Sequence, residues 1–243
     1  MPATSDPKEN RLLAALDASD LRRWLPQLES VEMQSGQVLH EPDILLSHVY
    51  FPTTAIVSLM CVTKGTTSSE LAIVGNEGMV GIALFMGGET AVGRAVVHSA
   101  GHGFRLPAQA MRDELHRGGP ALHLLLRYAQ ARMTQVSQAT VCARHHFLDQ
   151  RLCSWLLQNL DRLPNNELVM THEKIAKMLG MRREGVTEKA LQLQAAGLIR
   201  YSRGHIEVLD RNGLEVRACE CYAAVKREYR RLLPEAEAHR VRR

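Results

Sequence analysis

After Gly118-Gly119-Pro120 the chain enters a stretch that leaves little choice of conformation. Leu122, Leu126, Ala129, Met133, Val136, Thr140 and Ala143 recur at alternating steps of four and three, with Arg127, Gln130, Arg132, Gln135 and Gln138 between them. Only an α-helix lines such positions up, and three heptads of them make a seam for a parallel partner helix. Pro120 suits the first turn, where its missing N–H is not needed. The other use of the stripe is packing against a β domain of the same chain. Either way the helix divides the protein, and the sequence predicts residues 1–119 as one domain, 120–145 as a dimerisation helix and hinge, and 146–243 as a second domain.

The first part opens with an amphipathic pattern, Leu12, Leu13, Leu16, Leu21, Trp24, Leu25 and Leu28, in which Asp17 or Ser19 can cap a second short helix. From Val31 to Leu106 the texture changes to short β-branched and apolar runs at residues 37–39, 48–52, 55–60, 70–75 and 94–97, separated by glycine or proline. Such spacing predicts an antiparallel sandwich or barrel, with a β-roll as its form. The fold class is therefore α+β.

Composition narrows the function. The chain has 243 residues, 45% of them hydrophobic and 23% charged, which excludes a disordered or collagen-like polymer. Its apolar runs stop well short of the ~18–20 residues that cross a bilayer. The acidic start Ser5-Asp6-Pro7-Lys8-Glu9 lacks the order of a signal peptide, so a cytoplasmic protein without a membrane partner is expected. Five scattered cysteines, Cys61, Cys142, Cys153, Cys219 and Cys221, argue for reduced thiols over a disulfide framework. Charge is uneven: residues 1–141 hold 11 Lys/Arg against 13 Asp/Glu, net −2, and residues 142–243 hold 19 against 13, net +6. A basic half points to a polyanion, nucleic acid or an anionic membrane surface.

That basic half also carries the most specific pattern. A helix predicted over 147–163, with Leu148, Leu152, Trp155, Leu156 and Leu160 on one face, is closed by Pro164-Asn165-Asn166. Thr171 then caps a short helix in which Ile175, Met178 and Leu179 face inward, and Gly180 supplies a tight turn. A second helix starts near Arg182 with Val186, Ala190, Leu191 and Leu193 on its buried side. This is a helix-turn-helix, whose second helix can lie in the DNA major groove. Arg182, Arg183, Glu184, Thr187 and Glu188 occupy the first two turns on the outer side. Arginine can pair with guanine O6 and N7 and glutamate can accept from cytosine N4, whereas two arginines at the positive end of a helix are otherwise unfavourable. Residues 198–199 and 206–208 read as the strands of a wing around the turn Ser202-Arg203-Gly204, from which Arg203 and His205 can approach phosphate.

With these residues in view, the chain resembles the Crp/Fnr family of bacterial transcription regulators over essentially its whole length. The resemblance implies a cyclic-nucleotide-binding-like β-roll, a dimerisation helix and a C-terminal winged helix-turn-helix. It further implies a homodimer on double-stranded DNA, with RNA polymerase as a partner if the protein activates. The strongest match is residues 171–180 followed by Arg182-Arg183-Glu184-Gly185-Val186-Thr187-Glu188. Arg183 and Glu184 match the family's base-reading Arg-Glu pair, while Glu188 stands where a third reader is usually arginine. Thr171, Arg182, Arg183, Glu184, Thr187, Glu188, Arg203 and His205 form the expected DNA-contacting set, and Leu122, Leu126, Ala129, Met133, Val136 and Thr140 the expected dimer interface.

The β-roll departs from the family where a ligand would sit. Relatives that bind cyclic AMP or GMP have a Gly-Glu-Leu stretch for the ribose and an arginine for the phosphate. This chain has Gly81-Ile82-Ala83 and, further on, Gly93-Arg94-Ala95, so activation by a cyclic nucleotide is not expected. Any effector pocket is expected at Gly75, Asn76, Glu77, Gly78, Gly81 and Arg94, although the glycines alone could serve tight turns. Cys61, Cys142 and Cys153 lack iron–sulfur spacing. Cys219-Glu220-Cys221 is the one close cysteine pair in the sequence, a weak metal or redox signal that reads better as small apolar positions on a helix over 214–233. His145-His146 and His172 belong to no H-E-x-x-H or C-x-x-C pattern, so no metal or cofactor is assigned. No nucleophile elbow, P-loop or dinucleotide fingerprint is present, and an enzyme is not expected.

Overall fold

The computed structural model describes residues 6–62, 68–163 and 165–233. The chain begins with α1 (Arg11–Ala14) and α2 (Ala18–Trp24), then runs through β1 (Glu29–Met33), β2 (Val38–His40), β3 (His48–Pro52), β4 (Ile56–Val62) and β5 (Ser68–Val74). A 3₁₀ turn at Ile82–Met86 precedes β6 (Arg94–Ser99) and β7 (Gly101–Pro107), after which come α3 (Ala108–Arg117) and α4 (Pro120–His145). The second half consists of α5 (Leu148–Leu160), β8 (Glu167–Val169), α6 (His172–Leu179), α7 (Arg183–Ala195), β9 (Ile199–Ser202), β10 (His205–Val208), α8 (Arg211–Arg217) and α9 (Glu220–Leu232). Pro164, expected to close α5, lies outside the described residues.

Two antiparallel sheets build the first half, a four-stranded one in the order β2-β6-β4-β5 and a three-stranded one in the order β1-β7-β3. Met33, Val57, Val74, Val80, Ala95 and Val97 fill the space between them. A second core joins the β1-β7-β3 sheet to the helices through Leu13, Trp24, Phe51, Phe85, Met111 and Leu125. β1, β7 and α3 lie outside the apolar runs read from the sequence. β1 is mostly polar and largely exposed, and β7 owes its place to Gly103, where a Cβ would lie 2.7 Å from the Phe51 carbonyl oxygen.

The sequence is explicit about where α1 and α2 start. The Asn10 side chain accepts the Leu12 and Leu13 N–H groups, and Asp17 accepts that of Asp20. Asn10 is fully buried, and its amide also donates to the Pro52 and Gly78 carbonyls at 2.8 Å. One side chain therefore fixes a helix start to β3 and to the 75–78 loop.

α4 is a single helix of 26 residues, about 39 Å at 1.5 Å per residue. Its buried side, Ala121, Leu124, Leu125, Tyr128, Ala131 and Arg132, packs on the first half. Ala129 of the predicted seam belongs to this buried side, because it lies within one residue of the Tyr128 row. The rest of the seam is left out of the core: Met133 is 65% and Leu126 47% exposed, Leu122 and Val136 are half-buried, and Thr140 and Ala143 are exposed.

The second half has its own core, centred on Leu152, Leu156, Ile175, Val186, Leu193, Ile206 and Leu214. The single helix expected over 214–233 is two helices. Ala218 and Cys219 adopt extended backbone between α8 and α9, and α9 turns back so that Tyr229 and Leu233 pack on the core that joins the β1-β7-β3 sheet to the helices.

Candidate nucleic-acid interface

Thr171 caps α6, its hydroxyl accepting the Lys174 N–H at 3.3 Å. Ile175 and Ala176 are buried and Met178 and Leu179 half-buried, so one face of this short helix packs down. Gly180 ends it at φ +63, a left-handed conformation that costs a residue with a Cβ about 1 kcal/mol. Met181 donates back to the Ala176 carbonyl, Arg182 is the extended residue before α7, and α7 then leaves at a new angle.

Val186, Ala190 and Leu193 hold α7 against α5 and α6. Leu191, expected on the same side, is 57% exposed. It follows Ala190 by ~100° of helix rotation, and the packed stripe, on a 186–190–193 row, is too narrow to reach it. At its far end α7 closes with the Leu198 N–H on the Leu193 carbonyl and the Gly197 N–H on that of Gln194, the paired bonds of a Schellman turn. The chain then passes straight into the wing.

β9 and β10 pair from Ile199↔Val208 to Ser202↔His205, and Arg203 and Gly204 both have positive φ, the tight turn of a two-residue hairpin. β8 adds a third strand beside β10, a run too short and too polar to read from the sequence. The wing tip is tied to the start of α6 by the Met170 N–H on the Gly204 carbonyl at 2.7 Å. Arg203 and His205 are exposed there.

The candidate readers divide by what they already bind. Arg182, Arg183 and Glu184 are exposed, and their side chains make no hydrogen bond or ion pair with any described residue. Glu188 is exposed but accepts from Gln192 at 3.1 Å and meets Lys189 at 3.4 Å. Thr187 is half-buried and donates to the Arg183 carbonyl at 3.0 Å, one turn back. Its oxygen also lies 3.0 Å from His172 Nδ1. His172, a residue without a role in the sequence pattern, is buried, and its ring stacks on Tyr201 of the wing at 3.9 Å. It joins α6, α7 and β9 in one unit. Burial, with the nearby Arg183 guanidinium, lowers its pKa from the usual histidine value.

The expected effector residues are arranged differently. Gly75, Glu77, Gly78 and Gly81 are buried and Asn76 half-buried, and the loop is packed against Tyr128 of α4 and Arg162 just after α5. Glu77 Oε1 takes Arg162 at 2.7 Å and its Oε2 accepts the Gly75 N–H at 3.0 Å. Gly78 lies under Tyr128, whose hydroxyl both donates to the Met79 carbonyl and accepts the Met79 N–H at 2.9 Å; a Cβ on Gly78 would sit 2.3 Å from that oxygen. Asn76 accepts the Arg11 N–H. Arg94 is engaged elsewhere, its Nε 2.7 Å from Glu41. The physical reason is that Arg162 and Tyr128, both buried and both far away in sequence, need partners that this loop provides.

A second junction links the β-roll to α5. Trp155 donates to Glu70 at 2.8 Å, Ser58 bonds the other Glu70 oxygen, and His98 Nδ1 lies 2.7 Å from the Ser58 hydroxyl. Burial pushes Glu70 up to about 7 and His98 down to about 4. Between α4 and α5 the connection is short: His146 and Phe147 are extended, and α5 starts at Leu148. Among the described residues no helix is long and apolar enough to cross a membrane.

Residues 150–217 match the Crp-like helix-turn-helix domain. No curated protein sequence matches the chain. Solved structures share the fold over nearly their whole length. A protein described as a transcriptional regulator of the Crp/Fnr family from Eubacterium rectale has a TM-score of 0.68 at 20% identity, with 86% of this chain and 98% of that one covered. FixK2 from Bradyrhizobium japonicum has a TM-score of 0.69 at 14% identity, with 79% and 98% covered. A Crp/Fnr-family regulator from Thermus thermophilus has 0.62 at 22%, with 78% and 98% covered.

Proposed function

We propose, for a chain of Crp/Fnr type whose residues 150–217 form a Crp-like helix-turn-helix domain, the function of a homodimeric, sequence-specific DNA-binding transcription regulator in the cytoplasm. The observation that carries this reading is the state of the first turns of α7. Arg182, Arg183 and Glu184 are exposed, unspent, and held on a helix whose opposite side is locked into a core. A solvated helix has no use for two adjacent arginines at its positive end, whereas phosphates and base edges offset that cost.

In this reading Arg183 and Glu184 read bases, Arg182 and Arg203 meet phosphate, and Thr171 and His205 line the same side. Glu188 replaces a cation, so the half-site differs from that of relatives with arginine there. Thr187 acts through its contacts with His172 and the backbone. The seam Leu122, Leu126, Met133, Val136 and Thr140, left out of the core, pairs with its equivalent in a second copy, with Ala129 at its buried margin. Dimerisation sets the two α7 helices about one turn of DNA apart, ~34–36 Å. A signal in the β-roll acts by shifting α4 about the His146–Phe147 break, as a change of population between two arrangements. RNA polymerase is a partner if the protein activates.

Selection from a random duplex pool, repeated across salt, tests the function. The expected outcome is an enriched two-fold-symmetric motif. A salt slope with no enriched sequence would reduce the basic half to electrostatics alone.

A further inference from the structure

Four side chains that the nucleic-acid interface does not use converge where α4 hands over to α5. Cys142 lies in the last turn of α4 and His146 directly follows that helix, while Cys219 immediately precedes α9 and Cys221 lies in its first turn. Three Sγ atoms and one imidazole nitrogen, one from each residue, lie within 4.8 Å of one another. Cys142 Sγ is 3.4 Å from Cys219 Sγ, and Cys221 Sγ is 3.6 Å from His146 Nδ1. Zinc bonds of ~2.3 Å to sulfur and ~2.0–2.1 Å to nitrogen in a tetrahedron give S···S edges of about 3.8 Å and S···N edges of about 3.6 Å. The cluster is already close to those edges.

Its surroundings are those of a metal centre. Cys219 and Cys221 are buried. Ser154 Oγ accepts the Cys219 N–H at 3.2 Å and lies 3.1 Å from its sulfur, which fixes the thiol from behind. His146 has Nδ1 toward the sulfurs and Nε2 3.2 Å from the Glu220 carboxylate. A carboxylate on the far nitrogen is how proteins orient a metal-bound imidazole. A cleft of 320 Å³ lined by Cys142 and Cys221, between β5, α4 and the turn after α6, gives an ion a way in. Without an ion, three thiols, which are weak donors and weak acceptors, converge on one point for little gain.

We propose that Cys142, His146, Cys219 and Cys221 form a four-coordinate structural zinc site that clamps the α4–α5 hinge to the start of α9. Three thiolates and one imidazole select zinc among divalent ions by softness and geometry, and a filled tetrahedron leaves no open position for catalysis. Binding releases the thiol protons and ties together residues 73 or more positions apart in the sequence. The site stabilises the folded chain and restricts the break about which α4 would move. C-x-x-C spacing could not have revealed it, because the ligands arrive in two pairs, Cys142 with His146 and Cys219 with Cys221, from two helices.

The test is metal content and does not depend on DNA binding. The full chain, purified under reductant, is expected to carry about one zinc per chain and, on exchange, to give the intense visible bands of tetrahedral thiolate-bound cobalt. Cys219→Ser and Cys221→Ser should each fall below about a tenth of an equivalent, while Cys61→Ser stays at about one. Glu220→Gln should keep the ion but weaken its affinity about tenfold. If either cysteine variant is too unstable to purify, cobalt titration of the wild-type chain after zinc removal decides. Reduced wild-type protein that takes up no tetrahedral cobalt would overturn the proposal. So would a cobalt spectrum unchanged in both cysteine variants, or a native Cys142–Cys219 disulfide in place of metal.

Discussion

Two stretches of this chain have the polar, flexible look of ligand-facing segments, the 75–81 loop and residues 182–188 at the start of α7, and the fold treats them in opposite ways. In the loop the charged group and the main-chain groups are spent inside the protein: Glu77 on Arg162 and the Gly75 N–H, Met79 on the Tyr128 hydroxyl, the Asn76 carbonyl on Arg11. Among its side-chain atoms the Asn76 Oδ1 is buried without a partner among the described residues. At the start of α7 the guanidinium groups of Arg182 and Arg183 and the Glu184 carboxylate are unspent and face outward. A charged residue that is buried and claimed by an internal partner is not free to contact another molecule, whereas an exposed one is. Composition cannot tell these cases apart, because the claimant, Arg162 or Tyr128, comes from a distant part of the chain.

The contrast is broken most directly at Glu77. Glu77→Ala leaves the Arg162 guanidinium, itself 8% exposed, without its counter-ion. Removing one partner of a buried pair costs about 3–5 kcal/mol. Urea unfolding of the variant should show a loss of that size, whereas an unchanged midpoint would mean that the loop is free after all. The same measurement on Arg183→Ala should show no change.

The α4 seam is a third case, in which apolar groups are left over. Met133→Glu together with Val136→Glu would set like charges on facing positions of a parallel pair and should convert a dimer to monomers. Sedimentation giving an unchanged dimer would remove this face as the interface.

Where the two halves meet at Glu70, the polar groups are spent but pH can release them. Burial raises the folded-state value of Glu70 from 4.5 to about 7, so the folded chain holds this proton more tightly than the unfolded one. The resulting stability is complete below pH 4.5 and is lost as pH rises through about 7, by up to about 3 kcal/mol. His98 works in the other direction. Its folded value, lowered by burial to about 4, gives stability that is present above 6.5 and lost as pH falls through about 4. Glu70→Gln keeps the acceptor for Trp155 and removes the first of these slopes. His98 contributes its opposite slope to both proteins, so relative to the variant the wild type should lose up to about 3 kcal/mol between pH 4.5 and about 7, and parallel curves would exclude Glu70 as the titrating group.

Within the exposed set, Arg183→Ala should cost about 1–3 kcal/mol of discrimination at one base pair per half-site, and Arg203→Ala should weaken binding to all sequences alike, by less. Binding measured on the selected site and on single-base variants separates the two. A selected motif unchanged by Arg183→Ala would remove α7 as the reader.

Much of this was legible in the sequence. Periodicity found α4, Thr171 and Gly180 marked the ends of α6, and the Ser202-Arg203-Gly204 turn gave the wing, since each signal is local and has a direct backbone cause. Leu191 was misplaced because the width of a buried stripe depends on what packs against it. The strands β1, β7 and β8 were missed because their pairing, not their side chains, makes them strands. Of the cysteine cluster only the Cys219-x-Cys221 pair shows in the sequence, as a weak signal: Cys142 and Cys219 meet because Ala218 and Cys219 break one expected helix into two.

The smallest expected effect is none at all, and it bears on the loop again. A cyclic nucleotide needs an acceptor for its ribose hydroxyl and a cation for its phosphate, and burying either group unpaired costs about 1–3 kcal/mol or more. The Arg94–Glu41 pair is no obstacle by itself. Both side chains are 42% exposed, and such surface pairs are worth about 0–1 kcal/mol, so a phosphate could take Arg94 away. The obstacle is the other half of the site. Ile82 packs against the core that joins the β1-β7-β3 sheet to the helices and offers no acceptor, while Gly75, Glu77 and Gly78 are buried under Tyr128 and Arg162 and cannot open without breaking the Glu77–Arg162 pair. Titration calorimetry with cyclic AMP or cyclic GMP at micromolar concentration should therefore show no heat of binding, and affinity for DNA should be the same with or without either nucleotide. Micromolar binding coupled to a change in DNA affinity would mean that the loop opens at little cost, and would make Arg94 the phosphate ligand.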